Sequence, residues 1–167
     1  RFKSWFYNQK SLSNEKRNRR FIYGICDKYV MLAEGLISQC QKYGHIDDNS
    51  KFEIIGNPIS MDNSSATLSL KKKECLFVGR LDSMKGIDKL MRIWAIVESR
   101  VKDWTLVIVG DGIMMPAVKN AIAHYRLEHV CLEGFQADVK RYYQTASIFC
   151  MCSIYEGFPM VLPEAMG

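Results

Sequence analysis

From Cys75 onward, short and wholly apolar runs alternate with longer segments of helical period, a pattern that few folds accommodate. The apolar runs predict four buried strands, at residues 75–78, 104–109, 130–132 and 146–152. The segments between and after them predict helices, from residue 87, at 115–125, at 138–146 and from Met160 or Val161. Because the strands do not alternate polar and apolar residues, we predict an α/β fold with a parallel sheet covered by helices on both faces.

The earlier part of the chain is less regular. It predicts a helix at about 15–25, a strand at 29–32, a helix at 34–43 closed by Gly44, and a strand at 52–55. Residues 60–73 have the composition of a linker, and their Lys71-Lys72-Lys73 run indicates a solvated turn. We therefore predict a domain boundary near residue 60, which separates residues 1–60 from residues 61–167.

The composition narrows the class of protein. Hydrophobic residues make up 48% and charged residues 25% of the 167 residues, as in globular chains with room for one domain or parts of two. No apolar run approaches the roughly 20 residues of a membrane span. The net charge of +5 suits an anionic ligand or membrane face. Since the sequence begins with Arg1 and stops at Gly167, we expect it to be part of a longer protein.

The six cysteines show no metal-site spacing, and we find no secretory signal in the sequence. Cys150 and Cys152 are two residues apart in an expected strand, so they would share one face. We interpret the cysteines as reduced thiols of a cytoplasmic protein. The three histidines fall at expected helix ends or in connections, where solvated side chains are common: His45, His124 and His129.

Glycine-containing loops follow each expected strand, at residues 79–86, 110–112, 134–136 and 156–159. Right-handed crossovers bring the carboxyl ends of parallel strands to one edge of the sheet. Ligands of open α/β sheets bind in a crevice at that edge. We therefore expect the four loops to line one crevice.

The first of these loops carries two basic residues, Arg80 and Lys85, on either side of the start of a helix that Asp82 or Ser83 could cap. A guanidinium group, an ammonium group and helix N–H groups together favour a diphosphate. The alternative is an exposed Lys85 and an Arg80 that only forms a salt bridge. Neither a Walker loop nor a G-x-G-x-x-G fingerprint is present in the sequence, and no metal-ligand grouping is apparent.

Two carboxylates follow the last strand. Glu156 falls in the turn, and Glu164 falls in or near the first turn of a helix, since Pro163 is tolerated only there. They could be the acid and nucleophile of a glycosidase, or acceptors for the hydroxyl groups of a sugar whose phosphate binds nearby. The alternative is a loop residue and a solvated helix residue.

Four motifs in this order resemble those of the retaining nucleotide-sugar glycosyltransferases of family 4, which have the GT-B fold. The motifs are 77–81 (FVGRL) with Lys85-Gly86, 109–112 (VGDG), 156–159 (EGFP) and 164–166 (EAM). The resemblance covers about residues 20–167. It implies that residues 1–60 are the end of the N-terminal acceptor domain with a linker, and that residues 61–167 are most of a Rossmann-like donor-binding domain.

The resemblance also implies residue roles. Arg80 and Lys85 would grip the donor diphosphate, and Glu156, the first glutamate of the E-x7-E motif, would contact the donor sugar. Those three residues are the implied catalytic residues, and Glu164 would hold the ribose hydroxyl groups. Further donor-binding residues are Gly79, Gly134, Phe135, Gly157, Phe158 and Pro159, of which Gly134 and Phe135 would meet the base. Neither glutamate would be a nucleophile.

The implied function is hexosyl transfer, with retention, from a UDP-sugar or GDP-sugar to a glycan, lipid-linked or other acceptor, in surface polysaccharide or glycoconjugate synthesis. We expect no metal cofactor and no nucleic-acid partner, and we expect the chain alone to be inactive. The alternatives are a nucleotide-sugar epimerase of the same fold and a binding module without catalysis. Four early aromatic residues could contact a membrane surface or pack on protein: Phe2, Trp5, Phe6 and Tyr7.

Overall fold

A computed structural model describes residues 9–58, 71–156 and 159–166, with side chains from residue 17 onward. Contacts between Cα atoms divide the chain into two compact units, Arg1–Pro58 and Ile59–Gly167. Within the described ranges, no helix is long and apolar enough to cross a bilayer. The early aromatic residues Phe2 to Tyr7 lie outside these ranges, and the assignment of the first unit to an acceptor domain stays a prediction.

In the first unit, residues 9–58 form two helices and two short parallel strands. In chain order they are α1 (Gln9–Ile25), β1 (Tyr29–Met31), α2 (Glu34–Gly44) and β2 (Phe52–Ile54). Tyr29 of β1 pairs with Phe52 of β2, and both rings pack with Tyr23 of α1 in an aromatic cluster over Cys40 and Ile46. The apolar residues on one side of each element thus form a small core of their own.

Two details of this unit differ from the sequence prediction. Helix α1 begins at Gln9, six residues before the expected start, because the polar run 9–14 carries no strong stop signal. The residue that closes α2 in the left-handed conformation is His45, with φ 51°, whereas Gly44 is the last helical residue. The backbone N–H of His45 donates to the carbonyl of Gln41, so the C-terminal turn is still hydrogen-bonded.

The described residues of the second unit form four strands and four helices. They are β3 (Lys72–Val78), α3 (Ile87–Arg100), β4 (Thr105–Val109), α4 (Met115–Tyr125), β5 (Val130–Gly134), α5 (Lys140–Thr145), β6 (Ala146–Phe149) and α6 (Val161–Met166). All pairings are parallel, and the strand order is β5-β4-β3-β6. The predicted α/β fold with a parallel sheet is therefore confirmed.

Successive strand residues pack on opposite faces of this sheet. Phe77 belongs to a core formed with α3 and α4, where Leu90, Met91 and Trp94 of α3 are buried. The adjacent Leu76 belongs to a second core with Tyr142 of α5. Helices thus cover both faces, as predicted, because strands without polar alternation must bury both sides.

Three boundaries move relative to the prediction. The expected solvated turn at Lys71–Lys73 is wrong: Lys72 opens β3 and pairs with Ala146, and the ammonium group of Lys71 donates to two carbonyls, of Tyr143 and Ala146. Strand β6 ends at Phe149, so Cys150 and Cys152 lie beyond it, although both pack on the α3–α4 core. Helix α5 is also shorter than the expected 138–146.

The strand order creates a reversal at β3. From β3 the chain passes through α3 to β4 on one side, whereas the last strand, β6, pairs with β3 on the other side. The loops that follow β3 and β6 consequently start next to each other at the carboxyl edge. In open α/β sheets this is where ligands bind.

Candidate functional site

The loops after β3 and β6 are in direct backbone contact at the reversal. The N–H of Ile154 donates to the carbonyl of Met84 at 2.8 Å. Gly86 precedes α3 with φ 67°, and a Cβ atom there would lie 2.1 Å from the carbonyl oxygen of Cys152. Only glycine fits this position, both for its left-handed backbone and for the close approach. The two loops are therefore held as one surface.

This contact brings together Lys85 and Glu156, which are 71 residues apart. Lys85 Nζ donates to Glu156 Oε1 at 2.7 Å, and the two side chains are 27% and 19% exposed. Burial raises the pKa of Glu156, but the bond from Lys85 and the buried hydroxyl group of Ser153 outweigh it, so this pKa lies below its ordinary value. Glu156 is therefore ionised at neutral pH, beside a lysine at the crevice.

Arg80 is engaged within its own loop. Its Nε donates to Asp82 Oδ2 at 2.5 Å, while Asp82 Oδ1 accepts the backbone N–H of Lys85 at 3.0 Å. The expected capping of α3 by Asp82 or Ser83 is wrong, because the N-cap is Gly86, without a side-chain bond. Arg80 thus forms the salt bridge that the sequence left open as an alternative, and its side chain is nevertheless 74% exposed.

The glycine loops after β3, β4 and β5 continue the carboxyl edge. Gly79 N–H donates to the carbonyl of Val109 at 3.0 Å, and Gly110 N–H donates to that of Gly134 at 2.7 Å. A Cβ atom on Gly110 would lie 1.9 Å from the carbonyl oxygen of Gly79, so these backbones touch. The three loops do lie side by side, as expected from the parallel strands.

The end of β5 holds a polar cluster that sequence reasoning missed. Glu133 accepts bonds from Tyr142 OH at 2.7 Å and from Cys131 Sγ at 2.9 Å. The hydrogen bond to Glu133, with burial, raises the pKa of the Cys131 thiol to about 11. Because Glu133 is anchored to α5, the cluster ties together both ends of the loop that carries Gly134 and Phe135. Phe135 is 77% exposed there.

Glu164 lies in the first turn of α6, as predicted, and Pro163 is tolerated in that turn. Its Oε2 accepts a hydrogen bond from Tyr143 OH at 3.1 Å, and burial, with the charge of Glu164, raises the pKa of this tyrosine. Glu156 and Glu164 therefore have different partners. Pro159 accepts the N–H of Leu162. Gly157 and Phe158, both expected to border the donor, lie outside the described residues.

Other candidate groups do not form a second centre in the described part of the chain. None of the six cysteines forms a disulfide bond, and only Cys40 is fully buried. No cluster of three or more His, Cys, Asp or Glu side chains in the described ranges could hold a metal ion. His129 is not simply solvated: its Nδ1 lies 3.4 Å from the buried Glu98, which also accepts backbone N–H groups from Glu128 and His129.

The geometry defines a class of site. Two cations and two carboxylates meet at the reversal of a parallel sheet, and a further carboxylate and an exposed aromatic ring lie at the ends of the neighbouring elements. The cations can neutralise an anion such as a diphosphate. The carboxylates can accept hydrogen bonds from hydroxyl groups. These are the requirements of a binding site for a nucleotide linked to a sugar.

Residues 61–167 match the family described as Glycosyl transferases group 1, and the chain belongs to that family. Among curated proteins, it is 30% identical over 152 residues to the amylovoran biosynthesis glycosyltransferase AmsD of Erwinia amylovora, which covers 87% of this chain and 42% of that protein. It is 34% identical over 122 residues to a Campylobacter jejuni protein, N-acetylgalactosamine-N,N'-diacetylbacillosaminyl-diphospho-undecaprenol 4-alpha-N-acetylgalactosaminyltransferase. This match covers 70% of this chain and 33% of that protein. The chain spans less than half the length of these curated relatives.

The fold is shared with solved glycosyltransferases. A mutant of S. aureus TarM in complex with Fondaparinux, alpha-GlcNAc-glycerol and UDP matches with a TM-score of 0.81 and 20% identity, over 99% of this chain and 32% of that one. The parallel sheet and its helices correspond to part of a GT-B glycosyltransferase, as the sequence motifs suggested.

Proposed function

We propose that the complete protein transfers a sugar from a nucleotide diphosphate sugar to a glycan or lipid-linked acceptor. The observation that carries this proposal is the meeting of Lys85 with Glu156 at the reversal of the sheet, next to Arg80. Family membership supports the class of reaction. The UDP in the TarM complex supports a UDP-sugar as donor, with a GDP-sugar as the alternative.

The reaction needs the departing diphosphate to be stabilised as the bond to the sugar breaks. Arg80 and Lys85 can supply positive charge to the two phosphates, and charges that are already in place need little reorganisation. When an anion engages Lys85, the carboxylate of Glu156 becomes free to accept hydroxyl groups of the sugar and to orient it. Glu164 at the start of α6 is suited to the ribose hydroxyl groups.

The finer assignments are also proposals. We propose that the protein belongs to family 4, retains the anomeric configuration and transfers a hexose, and the four motifs support this. We propose that it needs no metal ion, because two basic side chains are available to neutralise the diphosphate. The anomeric configuration of the product, read by NMR, and activity after chelation would test these points separately.

The acceptor and the location rest on the relatives. A lipid-linked acceptor is supported by the name of the Campylobacter jejuni relative, which acts on a diphospho-undecaprenol compound. A role in polysaccharide synthesis is supported by the name of AmsD, an amylovoran biosynthesis glycosyltransferase. We propose a cytoplasmic protein with peripheral contact at the inner face of a membrane. Fractionation of cells before and after a high-salt wash would test that location.

The deciding experiment is calorimetric binding of UDP and of GDP to the complete protein. Wild type is compared with the double variant Arg80→Ala, Lys85→Ala, and with a control, Arg100→Ala, Lys102→Ala, which removes the same charge from exposed residues at the opposite edge of the sheet. Loss of two charge-assisted hydrogen bonds should weaken binding by about 100-fold in the site variant only. The preferred base then identifies the donor class.

The outcomes separate the alternatives. Equal binding by wild type and site variant, with both folded, would overturn the proposed site. Saturable binding without sugar transfer to any acceptor would favour a binding module. An epimerase would convert the nucleotide sugar without an acceptor, but both named curated relatives are glycosyltransferases.

A further inference from the structure

Asp82 is one of two charged residues that are buried among the described residues, with 8% of its surface exposed. A buried carboxylate is costly unless it is paired, so its partners indicate what it does. The other residue, Glu98, accepts hydrogen bonds from Trp94 Nε1 and from the backbone N–H of Glu128, and neither of these residues belongs to a motif. Among the described residues, the side chain of Asp82 bonds only within the loop that carries Arg80 and Lys85.

The two carboxylate oxygens of Asp82 serve different ends of this loop. Oδ2 accepts from Arg80 Nε at 2.5 Å, and Oδ1 accepts from the backbone N–H of Lys85 at 3.0 Å. Burial raises the pKa of Asp82, but the bonds from Arg80 and Lys85 outweigh it, so its pKa lies below the ordinary value. The side chain therefore stays ionised and holds both cationic residues.

The contact with Arg80 leaves a defined part of the guanidinium group available. Because Asp82 occupies Nε, the edge formed by Nη1 and Nη2 remains, and that edge can bind two oxygens of a phosphate side by side. Within the described ranges this edge has no protein partner, and the side chain is 74% exposed. A long side chain on the surface is thus fixed in direction by a buried one.

We propose that Asp82 is a positioning residue that aims Arg80 at the diphosphate of the donor. The proposal rests on the proposed function, since it assumes an anion at this crevice. It assigns to Asp82 a role that the sequence did not suggest, because an aspartate before a helix is first interpreted as a cap. Asp82 acts through Arg80 and does not itself contact the donor.

A purely electrostatic account predicts the opposite effect. If Asp82 only added negative charge beside an anion site, its neutralisation would strengthen the binding of a diphosphate. If Asp82 positions Arg80, neutralisation would weaken binding, although the site becomes more positive. Whether neutralisation of Asp82 strengthens or weakens the binding of a diphosphate therefore distinguishes the electrostatic account from the positioning account.

The test uses Asp82→Asn in the complete protein. The amide oxygen still accepts the N–H of Lys85, but the amide NH₂ cannot accept from Arg80 Nε. We expect UDP to bind about tenfold more weakly, as for loss of one hydrogen bond to a charged group. In an Arg80→Ala background the same change should have less than about a twofold effect, because coupled residues are not additive. Tighter binding, or an equal loss in both backgrounds, would overturn the proposal.

A second measurement needs no ligand, so failure of the proposed function would not affect it. In an NMR spectrum of arginine side chains, the Nε–H of Arg80 should exchange slowly with solvent in wild type and rapidly in Asp82→Asn, while Arg100, which is exposed, exchanges rapidly in both. Rapid exchange of Arg80 in wild type would refute the positioning role. If wild type shows slow exchange but does not bind UDP or GDP, the proposed function fails instead.

Discussion

The substitution Gly86→Ala should separate the two loops that form the candidate site. Gly86 has φ 67°, and an added Cβ atom would lie 2.1 Å from the carbonyl oxygen of Cys152 and 2.8 Å from its carbon. Both atoms belong to backbone, so no flexible side chain can move out of the way. To reach a separation of about 3 Å, at the lower limit for real contacts, the loops must part by about 0.9 Å.

The cost has two components. Left-handed backbone costs alanine about 1–2 kcal/mol relative to glycine, and forced displacement of packed atoms costs about 1–3 kcal/mol. The free energy of unfolding should therefore fall by about 2–5 kcal/mol. Since Lys85 precedes Gly86 and Glu156 follows Cys152, the same displacement should disturb their ion pair. A shift of about 1 Å in such a site can reduce turnover about 100-fold.

The assay is chemical denaturation with UDP binding measured beside it. Gly134→Ala is the matched control for stability, because Gly134 has φ 66° but an added Cβ atom would meet nothing within 4 Å. It should show the backbone cost alone, about 1–2 kcal/mol. If Gly86→Ala destabilises the protein no more than Gly134→Ala and binds UDP like wild type, the reasoning from close contact is wrong.

Three further predictions concern residues outside the loops. Glu98→Ala should lower the free energy of unfolding by about 3 kcal/mol, because it leaves the buried Trp94 Nε1 and two backbone N–H groups without their acceptor. The pKa of Glu98 is lowered in the fold, so its ionised form adds stability above pH 4.5. The stability difference between wild type and Glu98→Gln should therefore be full above pH 4.5 and shrink as the pH falls below it. Glu133→Gln should lower the pKa of Cys131 from about 11, so that the thiol is alkylated faster at pH 8.5, and an unchanged rate would contradict the assigned hydrogen bond. Lys71→Met should destabilise the protein by about 1 kcal/mol, measured by denaturation, because two carbonyls near the end of α5 lose their donor.

The sheet was predictable because its signals are local. Four apolar runs of strand length, each followed by a loop that contains glycine, predict parallel strands with turns at one edge. The start of α6 was predictable for a similar reason, since Pro163 restricts where a helix can begin. The structure confirms these elements because backbone sterics and burial decide them within a few residues.

The partners of the charged residues were not predictable. Lys85 and Glu156 were both singled out by type and place, but their contact spans 71 residues and depends on strand order, which the sequence does not reveal. Lys72 was misread because exposed lysines are typical of turns, whereas pairing with Ala146 places this one in β3. Long-range backbone pairing overrides local composition in such cases.

Asp82 and Glu133 were missed as partners for a related reason. An aspartate two residues after Arg80 and three before Lys85 has the spacing to bond to both, so that spacing was a usable signal. Glu133 gave only a weak signal, because it is a single carboxylate at the end of an apolar strand. A charged residue at the end of a buried strand needs a partner, and here Tyr142 supplies it from the following helix.

The charges of the candidate site also bear on how quickly a ligand can arrive. The site contains two ion pairs, Arg80 with Asp82 and Lys85 with Glu156. Each pair joins one positive and one negative side chain, so the four charges cancel. A neutral cluster projects little field beyond the Debye length of about 10 Å at 0.1 M ionic strength. Nucleotides would then reach the crevice by ordinary diffusion, at a rate almost independent of salt, and affinity would depend on how slowly they leave. A crevice of this kind attracts abundant cellular anions no more strongly than the rest of the surface does, and it selects a ligand that can displace Glu156 from Lys85 while Arg80 stays bonded to Asp82.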